Sequence, residues 1–276
     1  MSQAQPAVYL PTGRPGTFES TELSNAGWYE EGQHGGAIAA LITGEVEKVP
    51  TLSPMEVARV SVELFRVVPL VPLTVETSIL REGKKIQTVQ AMVSDPAGTL
   101  LSVAIVQRLR IAHRPLPIDV ATPVTTLAPP EECEVIDSES WGHGDPGKVM
   151  FHRNAIEVRQ THGRFAEKGP GAIWARLVVP IVAGEDPTAA QRAVMVADFC
   201  NGVSAALDPG WVFMNSDLTV HLGRHPVGEW VALDAVSIYQ DLGRGVAAGL
   251  LWDQVAWVGR SAQTLFLDRG SPGSEP

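Results

Sequence analysis

The feature of this sequence that most restricts its fold is a weak internal repeat. Each half has a run of small residues after a glycine, then a strand-like run that ends in arginine, a turn marked by Pro or Gly, and a late run with a glutamine. The same order of elements present twice predicts two copies of one structural unit. The matching runs are residues 35–41 with 201–207, 60–66 with 218–224, and 104–107 with 260–263.

Each half begins with a predicted helix and continues with long strands. Helices are predicted over residues 35–49 and about 188–207, where small residues on successive turns allow close packing against a sheet. The later runs are rich in Val, Ile, Leu and Thr and alternate loosely with polar residues, which is typical of strands. Residues 95–98 and 241–245 are predicted to be hairpin turns.

This order of elements predicts an α+β fold in which two long helices are each wrapped by antiparallel sheet. Such a unit, present twice, is the tandem (double) hotdog arrangement, fused with pseudo-twofold symmetry. We predict an N-terminal hotdog over residues 1–114, a connecting arm rich in Pro, Thr and Glu over 115–147, and a C-terminal hotdog over 148–276 that ends in a disordered tail. The exposed sheet edges of such a fold commonly pair with another chain, so a homo-oligomer stays an open prediction.

Charge and cysteine content restrict the cellular setting and the partners. The net charge of −10 argues against a nucleic-acid partner, because phosphate binding needs a basic surface. The two cysteines, Cys133 and Cys200, lack metal-ligand spacing and are typical of a reduced protein. The first residues lack the basic start and apolar core of a secretion signal, and the apolar stretches are too short to span a bilayer. We therefore expect a cytoplasmic protein with no membrane partner.

Several common catalytic motifs are missing from the sequence. A Gly-x-Ser-x-Gly nucleophile elbow does not occur, which argues against an α/β-hydrolase. No Walker or dinucleotide glycine pattern occurs in its strand–turn–helix context, so we predict no cofactor. No metal site is predicted either, because the histidines lack metal-ligand spacing. These scattered histidines are His143, His152, His162, His221 and His225.

Three segments of the second half resemble a known family. They are residues 197–202, reading Ala-Asp-Phe-Cys-Asn-Gly, residues 215–222, reading Asn-Ser-Asp-Leu-Thr-Val-His-Leu, and residues 259–263, reading Gly-Arg-Ser-Ala-Gln. Together with the order of helix, strands and late glutamine, they are similar to the type-II (TesB-type) acyl-CoA thioesterases, which are double hotdogs. The resemblance covers about residues 18–268. It implies hydrolysis of a fatty or related acyl-CoA to the free acid and CoA.

The resemblance also implies a catalytic set in the second half. The family places an Asp on the second helix, a Thr on the next strand and a Gln on the last strand, and these positions fall on Asp198, Asn215 and Gln263. Asn215 departs from the family Thr but still offers a donor and an acceptor. Asp198 would act as general base, directly or through its hold on the water, and the two amides would orient that water.

The first half is expected to shape the pocket around this set. Backbone N–H groups at the glycine pair that opens the first helix would stabilise the oxyanion, since glycine permits close approach and a helix N-terminus favours negative charge. The first-half positions that align with Asp198 and Asn215 are Gly32 and Val57, so we expect one working site per chain. The expected substrate-binding residues are His34, Gly35, Gly36 and Gln107.

Other interpretations of these residues stay open at this point. Asp198 can be a structural acid within a helix, Asn215 a turn residue and Gln263 an exposed strand residue. A hotdog enoyl-CoA hydratase or dehydratase would need an Asp–His pair, and no His follows Asp198 within a helical turn. A non-catalytic acyl-CoA binding protein would keep the fold without turnover. A carrier-protein thioester could replace CoA, and the candidate phosphate contacts are Lys84, Lys85, Arg66 and Arg224.

Overall fold

An antiparallel sheet extends through both halves of the chain in the computed structural model. The structure describes residues 6–27, 32–117, 120, 123–136, 147–163, 168–208 and 210–269. The predicted disordered tail lies mostly outside these ranges. The first half contributes, in chain order, β1 (Tyr9–Pro11), β2 (Thr17–Ser20), α1 (Gly35–Glu47), β3 (Met55–Leu64), β4 (Leu73–Arg81), β5 (Ile86–Ser94) and β6 (Leu100–Arg110).

The second half repeats this pattern of helix and long strands. It contributes, in chain order, β7 (Glu134–Val135), β8 (Ile156–His162), β9 (Gly171–Leu177), α2 (Ala189–Ala197), α3 (Cys200–Val203), β10 (Trp211–Asn215), β11 (Asp217–Leu222), β12 (Val231–Gln240), β13 (Arg244–Trp252) and β14 (Trp257–Arg269). The predicted hairpin turns are confirmed, since one joins β5 to β6 and the other joins β12 to β13. The prediction of two helices, each associated with antiparallel sheet, is also confirmed.

The two halves join at the centre of the sheet. The strands lie in the order β1-β2-β4-β5-β6-β3-β11-β14-β13-β12-β9-β8-β7, and β10 adds to β14. Strands β3 and β11 pair antiparallel, with Ser61 opposite Thr219 and their hydroxyl oxygens 3.0 Å apart. The helices lie on the inner face, where alternate residues of β5 and β14 are buried. One hydrophobic core therefore includes residues of both halves.

The helices α1 and α2 pack antiparallel against each other inside this sheet. Ten of the thirteen residues of α1 are buried, because the sheet covers one side and α2 covers another. Thr188 and Gln191 form a capping box at the start of α2. Thr188 also donates to the Glu47 carboxylate at the end of α1, with an Oγ1–Oε2 distance of 2.6 Å. The start of α1 consequently lies at the end of α2.

The second predicted helix is shorter than expected. It ends at Ala197, resumes briefly as α3 after Asp198 and Phe199, and does not continue through residue 207. In an uninterrupted helix the carbonyl of Asp198 would accept the N–H four residues later. Here it accepts instead from the side-chain amide of Gln263 on β14, at 3.0 Å. A side chain of β14 thus satisfies the carbonyl of the predicted catalytic acid at the point where α2 ends.

The structure corrects part of the internal repeat. The run at 35–41 opens α1, whereas the run at 201–207 begins in α3 and continues beyond it, so these two runs are not equivalent. The match between the runs at 60–66 and 218–224 is correct, because they lie mostly in β3 and β11, which pair with each other at the centre of the sheet. The pairing also shifts register at equivalent places in the two halves, at Ala58 and at Ser216.

The late glutamines are also not equivalent. Val57 pairs with Arg108 and Asn215 pairs with Leu265, so Gln107 corresponds to Thr264 rather than to Gln263. A slip of one residue turns a strand side chain to the opposite face of the sheet. The first-half position that corresponds to Gln263 is therefore Val106.

The described part of the connecting arm lies along the second half. The indole Nε1 of Trp174 donates to the carbonyl of Ala128 at 2.8 Å, and Val124 forms an isolated bridge with Ala256. Among the described helices, none combines the length and the apolar character needed to cross a bilayer.

Candidate active site

The carboxylate of Asp198 lies where the end of α2 meets the start of α1. Asp198 is 6% exposed and forms the C-cap of α2. A Cβ on Gly35 would lie only 2.8 Å from Oδ2 and 3.0 Å from Oδ1 of this carboxylate. Because Gly35 has no side chain, the first turn of α1 approaches the acid closely, and the positive end of the helix dipole faces its charge.

Two amides hold one oxygen of this carboxylate. The Nδ2 of Asn215, at the end of β10, and the Nε2 of Gln263, on the inner face of β14, each lie 3.0 Å from Oδ1 of Asp198. Gln263 is 1% exposed, and its other amide atom, Oε1, is buried without a hydrogen-bond partner in the described part of the chain. The structure therefore brings together the three residues that the sequence predicted from distant segments.

The imidazole of His34 faces the other oxygen of the same carboxylate. Its Nδ1 lies 3.1 Å from Oδ2 of Asp198 and 3.1 Å from the backbone N of Gly36, which it caps at the start of α1. The backbone N–H of His34 donates to the carbonyl of Ser24 at 2.8 Å. The ring contacts Phe151 and Phe199, with centroid distances of 5.0 and 4.6 Å. Backbone and ring are thus both held in place.

A cavity of about 330 Å³ opens at this point between the two halves. His34, Gly35, Asp198 and Asn215 line it on the polar side. Arg66 also lines it, and its side chain is exposed to solvent. Apolar side chains from both halves form much of the remaining wall, including Ile38, Leu64, Val68, Phe199, Phe213 and Phe266. A ligand here would place an apolar part inside and could place an anionic part near Arg66.

Gln107 is not brought to this site. It lies on the outer face of β6, opposite the face of Val106 and Arg108, and is absent from the cavity wall. The sequence repeat suggested it only because the alignment was one residue out of register. Gly36 is close to the site but not on the cavity wall. A Cβ there would lie 2.8 Å from the carbonyl oxygen of Met195, so its role in the structure is close packing of the two helices.

Of the four candidate phosphate contacts, only Arg66 lies on the cavity wall. Lys84 and Lys85 belong to the turn between β4 and β5. The guanidinium of Arg224 makes two 2.6 Å hydrogen bonds to the carboxylate of Asp253, which is fully buried. Arg224 is therefore a structural residue and not a phosphate contact.

The pairing of His34 with Asp198 could not be read from spacing along one helix. The sequence places no histidine within a helical turn after Asp198, whereas the imidazole that faces this carboxylate comes from the N-cap of the helix in the other half. The available signal was a histidine immediately before the Gly35–Gly36 pair, at a helix start that antiparallel packing brings to the end of α2. The absence of a histidine after Asp198 consequently no longer counts against Asp–His chemistry.

The described residues offer no other obvious centre of this kind. No group of three or more His, Cys, Asp or Glu side chains in the described ranges is arranged to hold a metal ion. His152 lines the same cavity, with its ring centroid 6.3 Å from that of His34.

Comparisons with solved structures agree with this architecture. A protein of Novosphingobium aromaticivorans is 18% identical, with 95% of this chain and 98% of that chain covered and a TM-score of 0.70. An Alicyclobacillus acidocaldarius protein described as having a hot dog fold is 13% identical, with coverages of 95% and 96% and a TM-score of 0.68. The acyl-CoA thioesterase II TesB2 of Mycobacterium marinum is 15% identical, covers 95% of each chain and gives a TM-score of 0.63. The predicted tandem hotdog fold is thereby confirmed.

Sequence comparison identifies the family. No curated protein sequence matches this chain. The acyl-CoA thioesterase N-terminal domain matches residues 25–108, and the acyl-CoA thioesterase C-terminal domain matches residues 130–267. Both matches together include every polar residue of the cavity described above. The chain belongs to the acyl-CoA thioesterase family with paired N- and C-terminal hotdog domains.

Proposed function

We propose that this protein hydrolyses an acyl-CoA thioester to the free acid and CoA at the cavity beside Asp198. Hydrolysis requires a water held against the carbonyl carbon, a carboxylate or other anion that activates this water, and hydrogen-bond donors for the developing oxyanion. Asp198 supplies the anion. Asn215 and Gln263 hold the carboxylate in place, and their remaining amide atoms can orient the water.

The observation that carries this proposal is the convergence on one buried carboxylate. Two amides from separate strands donate to its Oδ1, and the start of α1 approaches its Oδ2, all beside one cavity. A structural acid needs neither the cavity nor the glycine contact. We assign the oxyanion to the backbone N–H of Gly35, because the N–H of Gly36 already donates to His34.

The proposed substrate follows from the wall of the cavity. Its apolar side chains suit a fatty or related acyl group, and Arg66 at the exposed edge suits a phosphate of CoA. A cytoplasmic setting fits as well, since Cys133 and Cys200 are both free thiols.

The direct test is release of free CoA thiol from saturated and branched acyl-CoAs of graded length. The wild type, Asp198→Asn and a control variant, Asp241→Asn in the exposed β12–β13 turn, are compared. We expect Asp198→Asn to lose at least about 100-fold in rate and the control to match the wild type. Burial raises the pKa of the Cys200 thiol to about 12, so it contributes little background to thiol detection.

A wild type that binds acyl-CoA but releases no thiol would contradict hydrolysis and favour an acyl-CoA binding protein. Release that is equal in wild type and Asp198→Asn would contradict the assignment of the site. An acyl group accepted only from a carrier protein would identify that thioester as the substrate.

A second candidate reaction is favoured by one observation, the 3.1 Å approach of His34 to Asp198. A paired imidazole and carboxylate can add water to a 2-enoyl-CoA or remove it from a 3-hydroxyacyl-CoA. The loss of ultraviolet absorbance of the conjugated enoyl thioester, without thiol release, would identify hydration. Thiol release with the double bond intact would identify hydrolysis.

A further inference from the structure

The hydrogen bond from Gly36 determines which nitrogen of the His34 ring carries the proton. The backbone N–H of Gly36 donates to Nδ1 at 3.1 Å, so the lone pair is on Nδ1 and the neutral imidazole carries its proton on Nε2. Oδ2 of Asp198 also lies 3.1 Å from Nδ1, but the ring makes no hydrogen bond to this carboxylate. At Nε2, His34 is therefore a hydrogen-bond donor and not a base.

The Nε2–H group of this ring has no partner among the described residues. The side chain is nine-tenths buried, and it lines the cavity. Nε2 is not one of the described side-chain atoms that are closed off from solvent without a hydrogen bond, so it reaches open space. Phe151 and Phe199 contact the ring at centroid distances of 5.0 and 4.6 Å and hold it in place. A donor fixed in this way can bind an acceptor atom of a ligand without reorganising.

A second free donor comes from the next residue. The backbone N–H of Gly35 lies at the first position of α1, where the helix offers it no acceptor, and no other described residue accepts it. The side-chain amides of Gln33 and Asn215, which also line the cavity, already donate to oxygens of the protein. His34 and Gly35 therefore present two donors at the positive end of α1, where negative charge is stabilised.

We propose that the Nε2–H of His34 donates to the thioester carbonyl oxygen and, with the N–H of Gly35, stabilises the oxyanion, an inference that rests on the proposed function. Water oxygen forms a bond to the carbonyl carbon, its proton passes to the carboxylate of Asp198, and the carbonyl electron pair moves to oxygen. Negative charge thus moves from Asp198 to the oxygen that the two donors bind.

The second half of the reaction releases the products. The carbonyl re-forms, the C–S bond breaks, and the sulfur leaves with its electron pair. The thiolate then takes the proton from Asp198, which yields the free acid, CoA thiol and the original carboxylate. The proton on Nε2 of His34 stays there throughout, because this residue donates a hydrogen bond and transfers no proton.

The first test uses His34→Asn, because asparagine is a favourable N-cap that can accept from Gly36 but has no donor at the position of Nε2. His221→Asn, on the exposed side of β11, is the matched control. We expect His34→Asn to melt close to the wild-type temperature, to keep a similar KM, and to lose at least about 100-fold in kcat. His221→Asn should retain the wild-type kcat.

A second pair of variants isolates the donor. The side chains in His34→Gln and His34→Met are similar in length and both lack the imidazole, but only glutamine offers an N–H that can reach the position of Nε2. We expect His34→Gln to have the higher kcat at a similar melting temperature.

Infrared spectroscopy tests the contact with the substrate directly. Acyl-CoA labelled with carbon-13 at the carbonyl is bound to Asp198→Asn, which hydrolyses it slowly. A hydrogen bond weakens the C=O bond, so the carbonyl band should lie at a lower frequency than in solution. It should return toward the solution frequency when His34→Met is added to Asp198→Asn.

The outcomes distinguish this inference from the proposed function. If the wild type releases no thiol from any acyl-CoA, both are overturned. If the wild type is active and His34→Asn keeps a similar kcat, the inference alone is overturned. Should His34→Asn fail to fold, equal kcat values of His34→Gln and His34→Met would overturn it, as would a carbonyl band in Asp198→Asn at the solution frequency.

Discussion

At the scale of residues, the two glycines that open α1 have different neighbours. A Cβ on Gly35 would meet the end of the Asp198 side chain, which can move, whereas a Cβ on Gly36 would meet the backbone carbonyl of Met195, which is fixed in α2. A flexible side chain yields at low cost, but a packed helix backbone does not. The same chemical change at adjacent positions should therefore affect different properties.

We expect Gly35→Ala to reduce thiol release strongly with a small effect on melting temperature, because it displaces the carboxylate of Asp198, which we propose is catalytic. Gly36→Ala should lower the free energy of unfolding by about 1–3 kcal/mol, because it forces α1 and α2 apart. Thermal unfolding and initial rates of the two variants, measured side by side, test the contrast. A stable, fully active Gly35→Ala would contradict the position assigned to Asp198.

At the scale of elements, one ion pair, between the half-buried Arg224 and the buried Asp253, joins the end of β11 to the turn between β13 and β14. Burial alone would raise the pKa of Asp253, but hydrogen bonds from Arg224 and from the N–H groups of Val227, Val255 and Ala256 outweigh it. They hold the pKa well below its usual range. A carboxyl whose pKa is lowered by folding stabilises the fold above its unfolded pKa, about 3.9, and loses that contribution as the pH falls further.

We expect Arg224→Ala to lower the free energy of unfolding by about 3 kcal/mol at neutral pH, since it leaves a buried carboxylate without its cation. The difference from the wild type should shrink as the pH falls below about 4, because the carboxyl of the unfolded chain then takes up a proton while that of the folded wild type does not. Urea unfolding across this pH range measures both effects. The control, Arg66→Ala, changes an exposed arginine on the cavity wall and should raise KM for acyl-CoA with little loss of stability.

At the scale of the whole molecule, the fused halves make one site from two helices. Gly35 and His34 come from the first half, and Asp198, Asn215 and Gln263 come from the second. At the other end of the helix pair, the side chain of Gln191 lies against Gly44 and donates to the carbonyl of Ala40 at 3.1 Å. The side chain of Gln191 therefore fills the space between the helices at the end of the pair opposite Asp198. This agrees with the proposal of one working site per chain.

The shared sheet and core predict that both halves unfold together. Five of the seven tryptophans lie between residues 174 and 257, so tryptophan fluorescence mainly reports the second half. Circular dichroism reports the helices and strands of both. We expect the two signals to change at the same urea concentration, as two-state unfolding requires. Loss of ellipticity at a lower concentration than the fluorescence change would show that the first half unfolds separately.

Local sequence patterns were sufficient for the architecture. Alternation of apolar residues, turn residues at 95–98 and 241–245, and the recurrence of helix before strands predicted a double α+β unit. These patterns work because strand and helix periods depend on neighbours a few residues apart. The resemblance to a family then identified Asp198, Asn215 and Gln263, which the structure brings into contact.

Tertiary structure decided the contacts that join distant segments. The amide of Gln263 binds Asp198 at the end of α2, and antiparallel packing of the helices brings His34 to the carboxylate of Asp198. The register of β6 turns Gln107 away from the site, and Asp253 binds the arginine that sequence offered as a phosphate contact. Periodicity specifies which face of an element is buried, but register and helix packing depend on contacts across the whole core. For this reason the sequence alone determined the elements, and only the tertiary structure decided which side chains share the cavity.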